Sequence, residues 1–400
     1  MTQVLVLNTG SSSIKYRLFE METRDVLASG LLERIGEETS RLVHTAGTEE
    51  PLVDEGTAPD HRAGLASILA AFEASGGLSS DLAGIGHRVV HGGERFFAPT
   101  LIDDEAIDAI GELIPLAPLH NPSNLLGIEV ARAQFSTVPQ VAVFDTAFHK
   151  TMPPHAYRYA LPESLARELR IRRYGFHGTS HAYVSRAAAA YLGRSLPEIN
   201  LITLHLGNGA SVAAVAGGRC IDTSMGMTPL EGLVMGSRSG DLDPAIVFYL
   251  HREADLSIDE IDELLNKGSG MKGLTGLIDM RQIEQRAAEG DQTASEALDV
   301  YCYRIRKYIG AYAAALGRVD ALVFTAGVGE NSDVVRARVC QGLEPFGVHV
   351  DPSSNAARSG QPRSVSTGNS RVAVLVVPTN EELEIATQTW AVISDTNPTS

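Results

Sequence analysis

The stretch "LNTGSSSIKYRLFEM" at residues 7–21 decides the fold of the amino-terminal part of this chain. It continues an apolar run that begins at Val4 and turns at Gly10 into three serines. After the turn, Ile14, Tyr16 and Leu18 alternate with polar residues, which is the period of a strand and not of a helix. The stretch therefore predicts a β-hairpin, unlike a P-loop, whose Gly-x-x-x-x-Gly-Lys-Ser/Thr opens a helix.

A second stretch of the same design is "LITLHLGNGASVAAVAGG" at 201–218, where Asn208-Gly209 is a strong turn signal. Two similar hairpins half a chain apart indicate an internal duplication in which each half supplies one phosphate-facing turn. Strands alternate with helices elsewhere, which predicts an α/β protein with mixed sheets. The duplication predicts two domains, each starting with one of the hairpins.

Length and composition limit the classes of function. A chain of 400 residues suits two domains, and a net charge of −16 argues against nucleic acid or an anionic membrane as partner. The amino terminus carries no basic region followed by an apolar run, and apolar runs such as "VAVLVV" at 372–377 are far shorter than the ~20 residues of a membrane span. The three cysteines are widely spaced, which favours a reducing cytoplasm.

Two segments have the composition of phosphate sites. In the first turn, backbone N–H groups, the hydroxyls of Ser11 and Ser13 and the Lys15 ammonium can face one anion. The second segment, "GVGENS" at 327–332, follows a buried strand and is interpreted as a glycine-rich loop before a helix. Such a loop lets backbone approach a nucleotide, and the helix amino terminus favours an anion.

Several polar residues stand where catalytic groups often lie. Arg88 in "GHRVVHGGE" and Arg238 in "GSRSGD" lie among glycines, and arginine grips carboxylate or phosphate with a two-pronged fork. Asp145 ends a strand, where open α/β sheets bind ligands. Taken alone, each arginine has the ordinary alternative of a surface or ion-paired residue, and His120 and His177 that of a structural hydrogen-bonding group.

Helix starts are predicted from capping preferences. Thr179 or Ser180 is the expected N-cap of a helix after "YGFHG", and Thr379 with Glu382 forms a capping-box pattern before the last helix. Glu381 alone would be interpreted as a carboxylate that complements the helix dipole.

The motifs together resemble the acetate and propionate kinase family. "LVLNTGSSSIKY", "GHRVVHGGE", "PLAPLHNP", "VFDTAFH", "YGFHGTSH", "HLGNGAS", "DTSMGMTPLEGLVMGSRSGDLDP", "FTAGVGENS" and "PTNEEL" follow one another from residue 4 to about 386. The resemblance implies two duplicated α/β domains with mixed β-sheets flanked by helices, the ribonuclease H-like core of actin and sugar-kinase ATPases, and an interdomain cleft. It implies an amino-terminal domain at 1–150, joined by the carboxy-terminal helix at about 382–400, and a nucleotide-binding domain at 151–381.

For activity, the resemblance implies a phosphotransferase with a carboxyl acceptor, which converts ATP and acetate to ADP and acetyl phosphate by direct in-line transfer. It implies Mg²⁺, or Mn²⁺ in its place, and a homodimer. The implied catalytic residues are Arg88, His120, Asp145, His177 and Arg238. The acetate methyl group would be lined by Val90, Leu119, Phe176 and Pro229, with Arg88 on the carboxylate.

The same resemblance assigns the nucleotide and the metal. The implied metal ligands are Asn8 and Glu381. The implied nucleotide-binding residues are Ser11, Ser13, Lys15, His205, Leu206, Gly207, Asn208, Gly209, Asp279, Met280, Arg281, Gly327, Val328, Gly329, Glu330 and Asn331. The segment "GLTGLIDMRQIE" at 273–284 is one residue shorter than is usual in the family, with Gln282 in place of an acid, which bears on nucleotide preference.

The chemistry agrees with these residue types. A carboxylate with a reference pKa of about 4 is already ionised at neutral pH, so no general base is required. Positioning and charge neutralisation remain, and Asp145 is expected to order an arginine or the metal's waters.

Two alternatives stay open. Val90 leaves less room than the alanine of propionate-preferring relatives, which predicts propionate as a slower substrate, but a propionate or other short-chain carboxylate kinase remains the alternative. A nucleotide-switched binding module of the actin or chaperone kind would need an appended partner-binding domain or a polymer surface. The short stretch after the last motif counts against it.

Overall fold

The computed structural model describes residues 2–47, 49–78 and 82–396. The chain forms two compact units, the first of Met1–Ala147 with Asn380–Ser400 and the second of Phe148–Thr379. The end of the helix expected at 382–400 falls on 397–400, outside the described residues.

The first unit is built on a mixed sheet of eight strands within the described residues, in the order β5-β4-β3-β2-β1-β6-β8-β7. The strands are β1 Gln3–Thr9, β2 Ser13–Glu20, β3 Val26–Glu33, β4 Ser40–Ala46, β5 Leu52–Gly56, β6 Leu82–Val89, β7 Thr100–Leu101 and β8 Gln140–Phe144. β1 pairs antiparallel with β2 and parallel with β6. The predicted first hairpin is therefore confirmed.

Helices cover this sheet. They are α1 His61–Ala74, α2 Asp104–Gly111, α3 Asn121–Gln134 and α15 Glu381–Thr396, with a 3₁₀ turn at Ile114–Leu116. α15 packs Ile385 and Ile393 against the valines of β1 and β8. A Cβ added to Gly86 of β6 would lie 2.4 Å from Thr389 Oγ1, so the glycine permits this close approach.

The second unit contains a mixed sheet of six strands within the described residues, in the order β11-β10-β9-β12-β14-β13. The strands are β9 Asn200–Leu206, β10 Ala210–Ala216, β11 Arg219–Thr223, β12 Ala321–Thr325, β13 Arg363–Ser364 and β14 Ala373–Val376. β9 pairs antiparallel with β10 and parallel with β12, as β1 does with β2 and β6. The second predicted hairpin and the two mixed sheets are thus confirmed.

The helices of the second unit vary widely in length. They are α4 Pro154–Tyr157, α5 Glu163–Glu168, α6 Gly178–Tyr191, α7 Ala245–Glu253, α8 Ile258–Glu263, α9 Gly270–Thr275, α10 Met280–Ala288, α11 Gln292–Leu316, α12 Ala326–Asn331, α13 Asp333–Cys340 and α14 Pro352–Ala356. Further turns are Ala147–Thr151, Leu196–Glu198 and Glu344–Phe346, of 3₁₀ type, and Leu264–Gly268, of π type. Among the helices of the described ranges, none has the length and apolar composition that crossing a membrane requires.

Three local predictions are wrong. His177, not Thr179 or Ser180, occupies the N-cap position of α6. Asn380 Oδ1 accepts from the Leu383 N–H at 3.1 Å, so the predicted capping box of Thr379 with Glu382 does not start α15. The segment 327–331 is not a loop but lies within α12, because the Glu330 carboxylate turns back to accept from the Ala326 N–H at 2.8 Å.

Candidate active site

In the first unit, Arg88 and Asp145 meet at one edge of the sheet. β6 and β8 are parallel neighbours with Val89 opposite Phe144, so the residues at their ends are adjacent. Arg88 Nε donates to Asp145 Oδ1 at 3.2 Å and its Nη2 donates to Oδ2. Asp145 is only 1% exposed. Burial by itself would lower the pKa of Arg88, but Asp145 and Glu381 outweigh it and raise that pKa.

Glu381 and Glu382, at the start of α15, add two carboxylates to this region of the first unit. Burial raises the pKa of Glu381 to about 7, an effect that Arg88 opposes and Asp145 reinforces. Glu382 forms ion pairs with Lys15 and, at 3.7 Å, with Arg17. The structure therefore gives Lys15, which the sequence assigned to nucleotide phosphates, a carboxylate partner within its own unit.

The expected metal ligands, Asn8 and Glu381, both belong to the first unit. Asn8 lies opposite Lys15 in the first hairpin, and Glu381 is the first residue of α15. Amide and carboxylate oxygens are the donors that Mg²⁺ prefers. Within the described residues no three His, Cys, Asp or Glu side chains are grouped to hold a metal. The two side chains fit a Mg²⁺ ion that keeps waters and phosphate oxygens as its other ligands.

Two asparagines on α3 fix the loop that follows Arg88. The Val90 N–H donates to Asn124 Oδ1 at 3.0 Å, and the His91 N–H donates to Asn121 Oδ1 at 3.1 Å. Asn124 Nδ2 also donates to the carbonyl of Thr9 at 2.9 Å, which ties this loop to the end of β1. Neither asparagine is among the predicted site residues, although their spacing in "HNPSN" places them on one helix face.

His120 and Leu119 immediately precede α3. His120 occupies its N-cap position, and its side chain is exposed. Leu119 is 68% exposed, unlike Val90, which is 8% exposed. The loop therefore presents Leu119 and His120 outward while its asparagines hold the backbone.

In the second unit, His177 occupies a left-handed position at the start of α6, with φ 58°. Its Nδ1 lies 2.9 Å from Ser211 Oγ, and its ring stacks on that of His205 at 4.1 Å between centroids. Ser180 does not cap the helix because its hydroxyl lies 2.8 Å from His205 Nδ1 and 2.9 Å from Thr379 Oγ1. Tertiary hydrogen bonds thus replace the predicted local one.

The Gly207-Asn208-Gly209 turn lies beside His177 and Arg238. A Cβ added to Gly209 would lie 3.5 Å from His177 Nε2 and 3.7 Å from Arg238 Nη1. The remaining space around Gly209 thus lies between an imidazole and a guanidinium. The turn itself is closed by the Gly207 N–H, which donates to the Gly209 carbonyl at 3.0 Å.

Arg238 differs from Arg88 in its partners. Its Nη1 donates to the carbonyl of Pro229 at 3.3 Å and lies 3.8 Å from Met235 Sδ. In the parts of the chain that the structure describes, no carboxylate pairs with it, and burial lowers its pKa. Two residues predicted to line the acyl pocket therefore have backbone contacts in this unit. The Pro229 carbonyl accepts the hydrogen bond from Arg238, and the Phe176 carbonyl lies 2.8 Å from His149 Nε2.

Gly207 and Asn208 of the same turn line a cavity of about 740 Å³. Its volume suits a nucleotide-sized ligand. The predicted nucleotide-binding residues that line it are Gly207, Asn208, Asp279, Met280, Arg281, Gly327, Val328 and Asn331. The lining residues that were not predicted are Gly236, Met271, Ile278, Glu284, Tyr301, Ser332 and Arg358.

The other predicted nucleotide residues of this unit do not line the cavity. Leu206 and Gly329 are buried. His205 and Gly209 lie on the side of His177. The Glu330 carboxylate accepts from the N–H groups of Ala326 and, at 3.0 Å, of Thr379, so it organises the segment rather than facing the cavity.

One wall of the cavity is formed by the start of α10. Asp279 Oδ1 caps the helix through the Arg281 N–H at 2.9 Å, and its hydrogen bonds to Arg281 lower the pKa of Asp279. Gln282 is exposed. Glu284 faces the cavity instead; burial raises its pKa, although Ser332 donates a hydrogen bond to it.

Comparison with known proteins is consistent with this geometry and confirms the resemblance. Residues 3–387 match the model of the acetokinase family. An acetate kinase of Streptomyces griseus subsp. griseus is 61% identical over 401 residues, covering 99% of this chain and 97% of that protein. The crystal structure of Porphyromonas gingivalis acetate kinase matches with a TM-score of 0.94 and 45% identity, over 98% of this chain and 100% of that one. The crystal structure of a propionate kinase from Francisella tularensis subsp. tularensis SCHU S4 matches with a TM-score of 0.92 and 41% identity. This match covers 98% of this chain and 100% of that one. The chain belongs to the acetokinase family.

Proposed function

We propose that this protein catalyses the reversible, Mg²⁺-dependent transfer of a phosphoryl group from ATP to acetate, giving acetyl phosphate and ADP. Membership of the acetokinase family supports this function. One observation carries it for this chain: Arg238, which pairs with no carboxylate among the described residues, lies with His177 beside the turn that lines the nucleotide-sized cavity.

The reaction needs charge neutralisation more than proton transfer. An acetate carboxylate is ionised at neutral pH, so it attacks phosphorus without a base. The negative charge on the equatorial oxygens must then be stabilised at the transition state. Arg238 and His177 can donate to those oxygens, since both reach the space around Gly209.

The first unit contributes the acceptor side. Arg88 is proposed to hold the acetate carboxylate, and Asp145 keeps the guanidinium in place through two hydrogen bonds. This agrees with an ordering role for Asp145 rather than proton abstraction. We assign the methyl group to Val90, Leu119, Phe176 and Pro229, and a substrate-side role to His120.

The nucleotide would occupy the cavity of the second unit. Its lining residues from Asp279–Arg281 and Gly327–Asn331 would contact the adenosine, and the turn at 207–209 would lead the phosphates to Arg238. Ser11, Ser13 and Lys15 remain proposed phosphate contacts of the first unit. For Lys15 this requires exchange of Glu382 for phosphate, which its 45% side-chain exposure permits.

Asn8 and Glu381 would hold Mg²⁺, and Mn²⁺ would fit the same oxygen donors. When bound, the ion supplies positive charge that offsets the phosphate oxygens. The Glu381 carboxylate would contribute to that site in its ionised form.

The working unit is proposed to be a cytoplasmic homodimer. α7 has no buried residue, and it exposes Ile246, Phe248 (58%) and Tyr249 (61%). Exposed apolar patches of this kind mark interaction sites, and the family resemblance makes a second copy of the chain the occupant. Light scattering of Phe248→Asp, compared with Arg219→Ala, tests the dimer.

Cys220, Cys302 and Cys340 are free thiols, as suits a reducing compartment.

The activity is tested by trapping acetyl phosphate with hydroxylamine. We expect hydroxamate only with ATP, acetate and Mg²⁺ together, its loss with EDTA, and its loss in Arg238→Ala. Arg219→Ala, which removes an exposed arginine of the same unit, is the control and should retain activity. Full activity of Arg238→Ala would contradict the assignment.

Propionate phosphorylation is the second candidate, favoured by the 41% identity to a propionate kinase. Comparison of kcat/KM for acetate, propionate and butyrate decides between them. A higher value for propionate than for acetate would make this chain a propionate kinase.

A further inference from the structure

A chain of short hydrogen bonds runs behind His177 through the core of the second unit. His177 Nδ1 lies 2.9 Å from Ser211 Oγ, which also lies 2.8 Å from His181 Nε2. His181 Nδ1 lies 2.7 Å from Thr203 Oγ1. Ser211, His181 and Thr203 are completely buried.

The protons of this hydrogen-bond chain can be arranged in two directions. Each hydroxyl carries one proton on its oxygen, and a neutral imidazole carries one proton on one of its two nitrogens. Burial lowers the pKa of His181 well below its usual value, so this ring is neutral and donates from one nitrogen only. If Thr203 donates to His181, then His181 donates to Ser211, and Ser211 donates to His177 Nδ1. In the reverse direction, His177 Nδ1 is the first donor and Thr203 the last acceptor.

The Thr203 end of the hydrogen-bond chain selects the direction. In the reverse direction the Thr203 hydroxyl proton would point to the Ala213 carbonyl at 3.5 Å, outside the range of a good O–H···O bond. A buried donor without a good hydrogen-bond partner is unfavourable. In the forward direction that proton forms the 2.7 Å bond to His181.

We propose that Thr203, His181 and Ser211 fix His177 as the tautomer that carries its proton on Nε2. They are positioning residues, since they act through His177. This role rests on the proposed function, in which Nε2 must donate to a phosphoryl oxygen in the space shared with Arg238. Because Ser211 donates to Nδ1, His177 can donate from Nε2 as a neutral ring, which avoids a cation stacked on His205.

The first test reads the tautomer directly. The whole protein is labelled with nitrogen-15 histidine, and long-range proton–nitrogen spectra separate protonated from unprotonated ring nitrogens. His177→Asn identifies the His177 signals among those of the 12 histidines. We expect a protonated Nε2 and an unprotonated Nδ1. Protonation of Nδ1 alone would overturn the proposal.

The second test breaks the chain. Ser211→Ala removes the link to His177, and Thr203→Val removes the terminal donor at nearly constant shape. In both we expect both His177 tautomers to be populated, and a fall in kcat of about 10-fold with KM for ATP within about 2-fold. Ser185→Ala, which removes a buried hydroxyl that donates to the His181 carbonyl at 2.7 Å, should leave the tautomer unchanged.

The outcomes separate the two proposals. An unchanged His177 tautomer in both variants overturns the hydrogen-bond chain even if acetyl phosphate forms. Absence of acetyl phosphate with the expected tautomer refutes the proposed function and leaves the chain standing. Binding of ATP, measured by calorimetry, confirms that each variant is folded, and if Ser211→Ala does not fold, Thr203→Val and the wild-type spectrum decide.

Discussion

Arg88, in β6, and Arg238, in a loop, both lie in glycine-containing segments, yet their surroundings in the two units are opposite. Arg88 is held by two hydrogen bonds to a buried carboxylate, with Glu381 as a further negative neighbour. Arg238 donates to a carbonyl and contacts a thioether, and burial lowers its pKa without compensation by an acid. A paired arginine is held in one position by its carboxylate, whereas an arginine without a counter-charge attracts an anion more strongly.

The largest expected effect comes from removing the two arginines in turn. Arg238→Ala should lower kcat by about 10³-fold, as for other arginines that stabilise transferring phosphoryl groups. Its thermal midpoint should change little, because the substitution removes a buried charge that has no carboxylate partner. Arg88→Ala should lose activity and also destabilise the first unit by about 3–5 kcal/mol, because it breaks the buried ion pair with Asp145.

Two measurements separate these effects. Hydroxamate formation gives the rates. Circular dichroism during unfolding follows both units, and Trp390, the only tryptophan in the sequence, reports by its fluorescence on α15 of the first unit. Arg62→Ala, which removes an exposed arginine of α1, is the control. Equal loss of stability in Arg88→Ala and Arg238→Ala would contradict the contrast between them.

The carboxylates around Arg88 give the next effect, on stability rather than rate. The pKa of Glu381 is raised to about 7 from 4.5, so the folded protein keeps this proton to a higher pH than the unfolded chain does. Stability therefore falls as pH rises from 4.5 to 7, and the full penalty is present above pH 7. Glu381→Gln should stabilise the first unit at pH 8 by on the order of 3 kcal/mol, and not at all below pH ~4.5.

Trp390 fluorescence during urea unfolding at several pH values measures this difference. Glu73→Gln, at an exposed position of α1, should show no such dependence on pH. Mg²⁺ should stabilise the wild type more than Glu381→Gln if this carboxylate binds the ion. A Glu381→Gln effect that is constant from pH 4.5 to 8 would exclude the raised pKa as its cause.

The two hairpin turns also differ between the units, and we expect a smaller effect from changes in them. Gly207 lines the nucleotide-sized cavity, and a Cβ there would lie 3.2 Å from the Gly209 carbonyl. Gly207→Ala should raise KM for ATP by about 10-fold, since added atoms in a packed site cost about 1–3 kcal/mol. In Gly10→Ala the new Cβ meets Ser13 Oγ at 3.1 Å, and we expect a change of about 2-fold or less in KM for ATP.

Steady-state kinetics of both variants at saturating acetate provides the comparison. Equal increases in KM for ATP would mean that the first turn carries phosphate contacts as strong as those of the second. That result would support the assignment of Ser11, Ser13 and Lys15 from the sequence over the pairing of Lys15 with Glu382.

Elements with a local pattern could be predicted from the sequence. Strand alternation and the Asn-Gly turn gave both hairpins, and the strand before Asp145 was clear from its apolar run. Capping could not be predicted, because Ser180 uses its hydroxyl for His205 and Thr379, which are remote in sequence. Local preference cannot include such competition.

Pairing between distant residues was equally hidden. Lys15 and Glu382 are separated by almost the whole chain, so their ion pair could not be predicted from the sequence. Glu330 was assigned to nucleotide because it lies in a glycine-rich segment, yet backbone N–H groups take up its carboxylate. The sequence shows which side chains are charged. Which group neutralises each charge depends on the fold and could not be predicted.

The smallest expected effect concerns acyl selectivity. Val90 is 8% exposed, and Asn124 fixes its backbone N–H, so the side chain cannot easily withdraw to admit a longer acyl group. Val90→Ala should therefore raise kcat/KM for propionate relative to acetate by about 5-fold, since one methylene is worth about 1–3 kcal/mol of discrimination. Val53→Ala, at an exposed position of β5, should leave the ratio unchanged.

The Arg88–Asp145 pair lies next to the loop that contains Val90 and is unaltered by this substitution. We therefore expect kcat for acetate to stay within about 2-fold. A loss of acetate turnover without a change in the ratio would mean that Val90 supports Arg88 rather than lines the acyl site.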